Sequence, residues 1–136
     1  MSTLLVTCVD ARVRRELSEL EDRLGIAGGD RLQVPGGPLA LVTDGPQREA
    51  MTAWIELLVR FKGVSVVYLV SHEHCLAYQR RLGGFFHDER EILGRDLHAA
   101  RRIVEDAVYG VRAECYLLPW VERMPDGGYG RPEPVD

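Results

Sequence analysis

The chain alternates between apolar runs of strand length and amphipathic stretches of helix length. Leu4 to Val9 is a continuous, largely apolar run, the pattern of a strand buried on both faces. Val13, Leu17, Leu20 and Leu24 then recur at steps of four, three and four, one stripe of a helix, and Gly25 is placed to end it. Arg31 to Pro35 predicts a short second strand. Pro35-Gly36-Gly37-Pro38 breaks it, because proline blocks continuation and glycine opens backbone angles closed to other residues. Pro46 suits the first turn of a second helix, with Met51, Trp54, Ile55, Leu58 and Phe61 as its expected buried face and Gly63 as its end. Val64 to Val70, rich in β-branched residues, is the strongest strand signal, and Ser71 to Gln79 follows as a polar turn. Gly83-Gly84 breaks the chain again. A long helix is predicted from about His87 to Tyr109, with Phe86, Leu93, Leu97, Ala100, Val104 and Ala107 inward. Val111 to Leu118 is the last predicted strand, and Asp126-Gly127-Gly128 leads into a Pro-rich tail, about 125–136, expected to be loose.

Strands alternating with helices predict an α/β fold: an open, mainly parallel sheet with helices on both faces and right-handed crossovers. Ligands bind such sheets beyond the carboxyl ends of strands, where the strand order reverses. The most reactive residues lie at two such ends. Cys8, Asp10 and Arg12 close the first strand; His72 and Cys75 close the third. In the order 2-1-3-4 those strands are neighbours and both clusters face one crevice.

The chain of 136 residues is read as one domain, 1–136, with ordinary globular composition: 46% hydrophobic and 28% charged residues. No apolar run approaches the ~20 residues of a membrane helix. The opening MSTLLVTCVD has no basic residue ahead of its short apolar run, so no cleaved leader is expected and the cytoplasm is the default compartment. A net charge of -4 gives no electrostatic reason to expect nucleic acid or anionic lipid as a partner. Three cysteines are too few and too odd in number for a disulfide framework.

Two thiolates and an imidazole are a soft-plus-borderline donor set suited to zinc. Three protein ligands leave a tetrahedral position for water, as in catalytic sites; four would close the site. Taken singly, each residue has a plainer reading. Cys8 alone reads as a buried strand-end cysteine, and Asp10 with Arg12 as a salt bridge at a helix start. His74 could replace His72 as the ligand, or shuttle protons as a solvated neighbour. Cys115 alternates with apolar neighbours and reads as core, Trp54 likewise, and His87 and His98 as surface positions on the long helix.

Strand-CxDxR, a glycine loop after the second strand and strand-HxxC stand here as TCVDAR, VPGGP and LVSHEHC. In order and in strand placement they resemble the β-class carbonic anhydrases, over nearly the whole chain. The resemblance implies zinc on Cys8, His72 and Cys75, with the HxxC spacing selecting His72 over His74. It implies Asp10 and Arg12 as the catalytic pair: Arg12 keeps Asp10 ionised and oriented, and Asp10 accepts a hydrogen bond from a zinc-bound hydroxide that attacks carbon dioxide to give bicarbonate. Two thiolates neutralise the metal's formal charge, so activity is expected to climb as pH rises through about 8. The family also has a closed state in which the aspartate, here Asp10, becomes a fourth ligand. A homodimer or a multiple of dimers is implied as well.

Some positions depart from the family pattern. The loop Val34-Pro35-Gly36-Gly37-Pro38 lacks the usual polar Arg-Asn segment, Leu76 stands where glycine usually follows the second cysteine ligand, and no helical arm precedes the first strand. These departures touch the substrate pocket and subunit contacts. They keep open a related small electrophile, of the carbonyl sulfide or carbon disulfide type, and a non-catalytic zinc protein capped by Asp10. A thiol phosphatase built on Cys8 and Arg14 at C-x5-R spacing is disfavoured: the loop lacks glycine, Asp10 would repel phosphate, and His72 and Cys75 would have no role. No GxGxxG follows the first strand, which disfavours a dinucleotide site.

Overall fold

A computed structural model describes residues 2–83, 89–122 and 127–136. The strands are β1 (Ser2–Cys8), β2 (Asp30–Val34), β3 (Val64–His72), β4 (Arg112–Leu118), β5 (Trp120–Val121), β6 (Gly128–Tyr129) and β7 (Glu133–Val135). The helices are α1 (Arg14–Leu24), α2 (Pro46–Lys62), α3 (Leu76–Arg81) and α4 (Glu89–Ala107). Single 3-10 turns occupy Ala11–Val13 and Gly37–Ala40. Gly25 and Gly63 end α1 and α2 in the left-handed conformation, as their positions predict.

The main sheet has the order β2-β1-β3-β4-β7. β1 pairs in parallel with β2 (Val6 opposite Leu32) and with β3 (Val6 opposite Leu69), and β3 pairs in parallel with β4. The expected order 2-1-3-4 is therefore present, with one strand added. The first crossover carries the chain from β1 to β2, and the next carries it back past β1 to β3. The strand order reverses between β1 and β3, whose carboxyl ends are Cys8 and His72.

The added strand corrects the expectation of a loose tail. β7 runs antiparallel to β4, with Cys115 opposite Val135 and Leu117 opposite Glu133, while β5 and β6 pair as a small second sheet. Without β7 the outer edge of β4 would present a row of unpaired N–H and C=O groups. Proline is tolerated on an edge strand, and Pro134 there disguises β7 in the sequence.

Helices cover both faces. Leu4, Val6, Val67, Leu69 and Ala113 pack with Met51 and Ile55 of α2 and with Leu93, Leu97, Ala100 and Val104 of α4. Leu5, Val66, Tyr68 and Val70 pack on the other face with Leu17 and Leu20 of α1. Cys115 is core, its thiol directed at the Leu97 carbonyl oxygen. Two expected core residues of α2 are corrected: Trp54 is 46% exposed and Phe61 75%. Met51, Ile55 and Leu58 form the stripe that meets the sheet. Trp54 follows Met51 by three residues but stands one residue, about 100°, from Ile55, and so turns outward. Ala107 of α4 is also exposed and Val108 is buried in its place. His98 is exposed. Gly84, Phe86, His87 and Asp126 lie outside the described residues.

Candidate metal centre

Cys8 is the last residue of β1, and its sulfur accepts the backbone N–H of Gly36 at 3.3 Å. Gly36 and Gly37, both left-handed, turn the loop so that this N–H reaches the strand end. His72 is the last residue of β3. Two residues on, His74 has φ 59, the one left-handed non-glycine among the described residues. Such a conformation costs on the order of 1 kcal/mol or more and persists only when its surroundings impose it. Here Glu89 accepts the His74 N–H at 2.6 Å, and the His74 carbonyl accepts from Arg12 Nη2 at 2.9 Å. The reversal brings Cys75 back towards His72, and α3, read as polar turn in the sequence, starts directly after it.

Cys8, Cys75 and His72 are all buried, and one donor atom from each lies within 4.8 Å of the others. A tetrahedral centre with bonds of about 2.0–2.3 Å holds its ligand atoms roughly 3.3–3.8 Å apart, so closure shortens their separations by about 1.5 Å at most. Cys75 beside Cys8 holds the Cys8 thiol well below its ordinary pKa, and the same neighbour together with burial pushes the Cys75 thiol up.

His72 carries the most telling geometry. Its Nδ1 lies 2.8 Å from the Glu73 carbonyl oxygen and 3.1 Å from the Tyr129 hydroxyl. Nδ1 therefore bears the proton, and Nε2 is left with a lone pair. That Nε2 is buried with no hydrogen-bond partner. A buried imidazole nitrogen without a partner is costly; a cation taking its lone pair removes the cost. Two sulfurs and one such nitrogen suit zinc, with a fourth position open.

Asp10 and Arg12 sit beside this cluster. Asp10 caps the 3-10 turn by accepting the Arg12 backbone N–H at 2.9 Å. Arg12 Nε lies 3.1 and 3.0 Å from the two carboxylate oxygens, and Nη2 lies 2.7 Å from Oδ2. The Arg12 guanidinium holds the Asp10 carboxyl below the usual carboxylate range. The group of possible metal ligands within reach of one another comprises Cys8, His72 and Cys75, without Asp10 or His74. The His74 ring instead stacks on Trp120, centroids 4.6 Å apart and planes 17° from parallel.

Sequence reasoning missed the residues that brace this arrangement. Glu73 accepts from Arg90 and from the Trp120 N–H, joining α4 and β5 to the turn. Glu89 holds the strained His74 N–H, and Tyr129 reaches His72 from β6. No spacing rule ties these positions to the ligands; the only signal is that Tyr129 is an aromatic residue beside a glycine turn.

No protein-family model matches the chain. It is 28% identical to an uncharacterized protein of Rickettsia bellii over 129 residues, covering 86% of this chain and 76% of that protein. It is 32% identical to an uncharacterized protein of Rickettsia conorii over 90 residues, covering 60% of this chain and 46% of that one. Among solved structures, a carbonic anhydrase from Streptococcus mutans is similar with TM-score 0.57 at 20% identity, over 98% of this chain and 81% of the other. A tetrameric β-carbonic anhydrase from Sordaria macrospora is similar with TM-score 0.54 at 14% identity, over 87% and 75%. The chain has the β-carbonic-anhydrase fold. A carbon disulfide hydrolase in its apo form is similar to the same degree, with TM-score 0.56 at 19% identity over 86% and 73%. This fold therefore serves more than one small electrophile, and the chemistry of this chain has to be argued from its own site.

Proposed function

We propose that the chain is a zinc-dependent lyase of the carbonic-anhydrase type, hydrating carbon dioxide reversibly to bicarbonate, with zinc on Cys8, His72 and Cys75. The observation that carries the reading is the buried, unpartnered Nε2 of His72 beside two buried sulfurs. Zinc bound there would supply a Lewis acid that makes water a nucleophile near neutral pH. The protein's own residues do the rest. Arg12 keeps Asp10 ionised and turned towards itself, which favours an open centre over one capped by Asp10. The Arg12 backbone N–H, Nε–H and Nη2–H take three of the roughly four acceptor sites of the carboxylate. One acceptor site remains, and Asp10 uses it to hold the proton of the attacking water so that a lone pair faces the substrate carbon. The glycine loop brings backbone to the cluster, its Gly36 N–H reaching the Cys8 sulfur, and carries apolar Val34 and two prolines in place of charged side chains.

The test is metal analysis of purified protein joined to a stopped-flow hydration assay, with Cys75→Ala as control. One zinc per chain and a rate abolished by Cys75→Ala is the expected result. Zinc without any rate supports the capped, non-catalytic reading; a protein that takes no zinc refutes the centre. The same assay run with carbonyl sulfide and carbon disulfide separates the second reading, which the apolar loop and the exposed Leu76 beside the second cysteine favour.

The partner proposed besides substrate is a second copy of the chain, and the face proposed for it is the outer side of α2. Trp54, Leu57 and Phe61 stand out there, 46, 52 and 75% exposed. Two such helices packed antiparallel about a two-fold axis set Leu57 against its counterpart, Trp54 against Phe61, and Glu56 against Arg60, so the surface is complementary to itself. Among the described residues no helix is long and apolar enough to cross a membrane. The three cysteines are free and buried, and a reducing compartment such as the cytoplasm is inferred from them.

A further inference from the structure

The geometry points to Tyr129 as a positioning residue for the metal centre: its hydroxyl and ring together fix the orientation in which His72 presents Nε2 to the two sulfurs. The inference rests on the metal-centre reading above and adds to it a residue from the far end of the chain.

An imidazole held by a single hydrogen bond can still swing about its side-chain axis. His72 is held by a closed set of three. Nδ1–H is shared between the Glu73 carbonyl oxygen at 2.8 Å and the Tyr129 hydroxyl oxygen at 3.1 Å, while the Tyr129 O–H donates to that same carbonyl at 2.9 Å. The Tyr129 ring also meets the imidazole edge-on, centroids 5.5 Å apart at 88°. Rotation of His72 breaks the polar contacts and drives its ring into the phenol at the same time. Partners of this kind, bonded to the second nitrogen of a ligand histidine, set its tautomer and raise its basicity. Losing one typically lowers metal affinity 10–100-fold.

Tyr129 can do this because it is itself fixed. In the β5–β6 pair it stands opposite Trp120, and the Gly130 N–H donates to the Pro119 carbonyl at 2.8 Å. The Trp120 ring contacts it edge-on at 5.1 Å. The Arg12 guanidinium lies over its face, 5.9 Å from the centroid. Arg12 thus touches both the carboxylate beside the open position and the phenol behind the ligand. Among the described residues, no other side chain hydrogen-bonds a ring nitrogen of His72.

The experiment uses the full chain with Tyr129→Phe, which keeps the ring and removes the hydroxyl, and Tyr129→Ala, which removes both. Zinc affinity is read by competition with a chromophoric chelator. Cobalt(II) loading reports the ligand field by visible absorption, and proton NMR follows exchange of the His72 Nδ1–H. Tyr129→Phe is expected to weaken zinc about tenfold and Tyr129→Ala towards 100-fold. The cobalt bands should shift and the Nδ1 proton should exchange faster, while the melting temperature of metal-free Tyr129→Phe falls only a few degrees. In the wild type that proton should be slow to exchange, a readout that needs no variant to fold. Equal zinc affinity and equal Nδ1 exchange in wild type and Tyr129→Phe overturn the role of Tyr129 and leave the centre standing. A wild-type chain that binds neither zinc nor cobalt overturns both.

Discussion

Gly37 offers the sharpest test of how the loop builds the site. It opens the 3-10 turn after β2 at φ 56, pressed against the end of β1. A Cβ added there would lie 2.7 Å from the Thr7 carbonyl carbon and 2.8 Å from the Cys8 nitrogen. Both are backbone atoms of β1, which is registered there with β2 and has little freedom to yield. Gly37→Ala therefore carries two costs. The left-handed conformation costs roughly 1–2 kcal/mol for any residue with a Cβ. Overpacking against fixed atoms adds about 1–3 kcal/mol. Gly63 isolates the first term: it has φ 68, but nothing lies within 4 Å of its added Cβ. For a chain of 136 residues the unfolding entropy is about 0.3 kcal/mol per kelvin. Gly63→Ala should then lower the melting temperature by roughly 3–7 °C, and Gly37→Ala by a further 3–10 °C. Gly37→Ala also pushes the Gly36 N–H away from the Cys8 sulfur, so it alone should weaken zinc binding, by about tenfold. Thermal melts of both variants, with zinc competition, decide the matter. Equal melting temperatures and equal zinc affinities would refute the claim that close packing of the loop on β1 shapes the centre.

Three further outcomes follow from the same geometry. Arg12→Met frees Asp10 from its bidentate partner; zinc should be retained while the hydration rate falls about 100-fold or more, and an unchanged rate would remove Asp10 and Arg12 from the chemistry. Removing metal with a chelator should lower stability by about 2.7 kcal/mol relative to protein kept at 100 times the zinc dissociation constant, close to 9 °C by calorimetry; no shift would mean that zinc does not bind the folded chain. Leu57→Glu places two like charges at the proposed two-fold axis and should halve the mass seen by light scattering with zinc content unchanged, whereas an unaltered mass moves the interface off α2.

How much of this was legible in the sequence depends on where the determining contact lies. β1 and β3 read clearly because strands buried on both faces must be apolar nearly throughout, and β4 because Ala113, Cys115 and Leu117 alternate as its buried positions. β7 did not, since three residues with a central proline pair only along one edge and carry no pattern of their own. On α2 the composition marks a wide apolar face, and only the sheet decides that Met51, Ile55 and Leu58 meet it while Trp54 and Phe61 do not. The cluster of Cys8, His72 and Cys75 was legible for a chemical reason: thiols and imidazole placed at strand ends carry their meaning in residue type. Its supports were not, because Glu89 acts through one hydrogen bond and Tyr129 through two and a ring contact, across distances in sequence that no spacing encodes.

The topology explains why such a site needs these distant supports. Cys8 and His72 meet because the strand order reverses between β1 and β3, whose carboxyl ends they occupy. Glycine at 36 and 37 walls one side by bringing backbone close. On the other side the wall comes from the end of the chain, where β7 completes the edge of β4 and the β5–β6 pair carries Tyr129 to His72. A terminal segment that looks dispensable in sequence therefore closes the sheet edge and reaches the candidate metal centre at once, so its truncation should loosen the His72 imidazole before it unfolds the core.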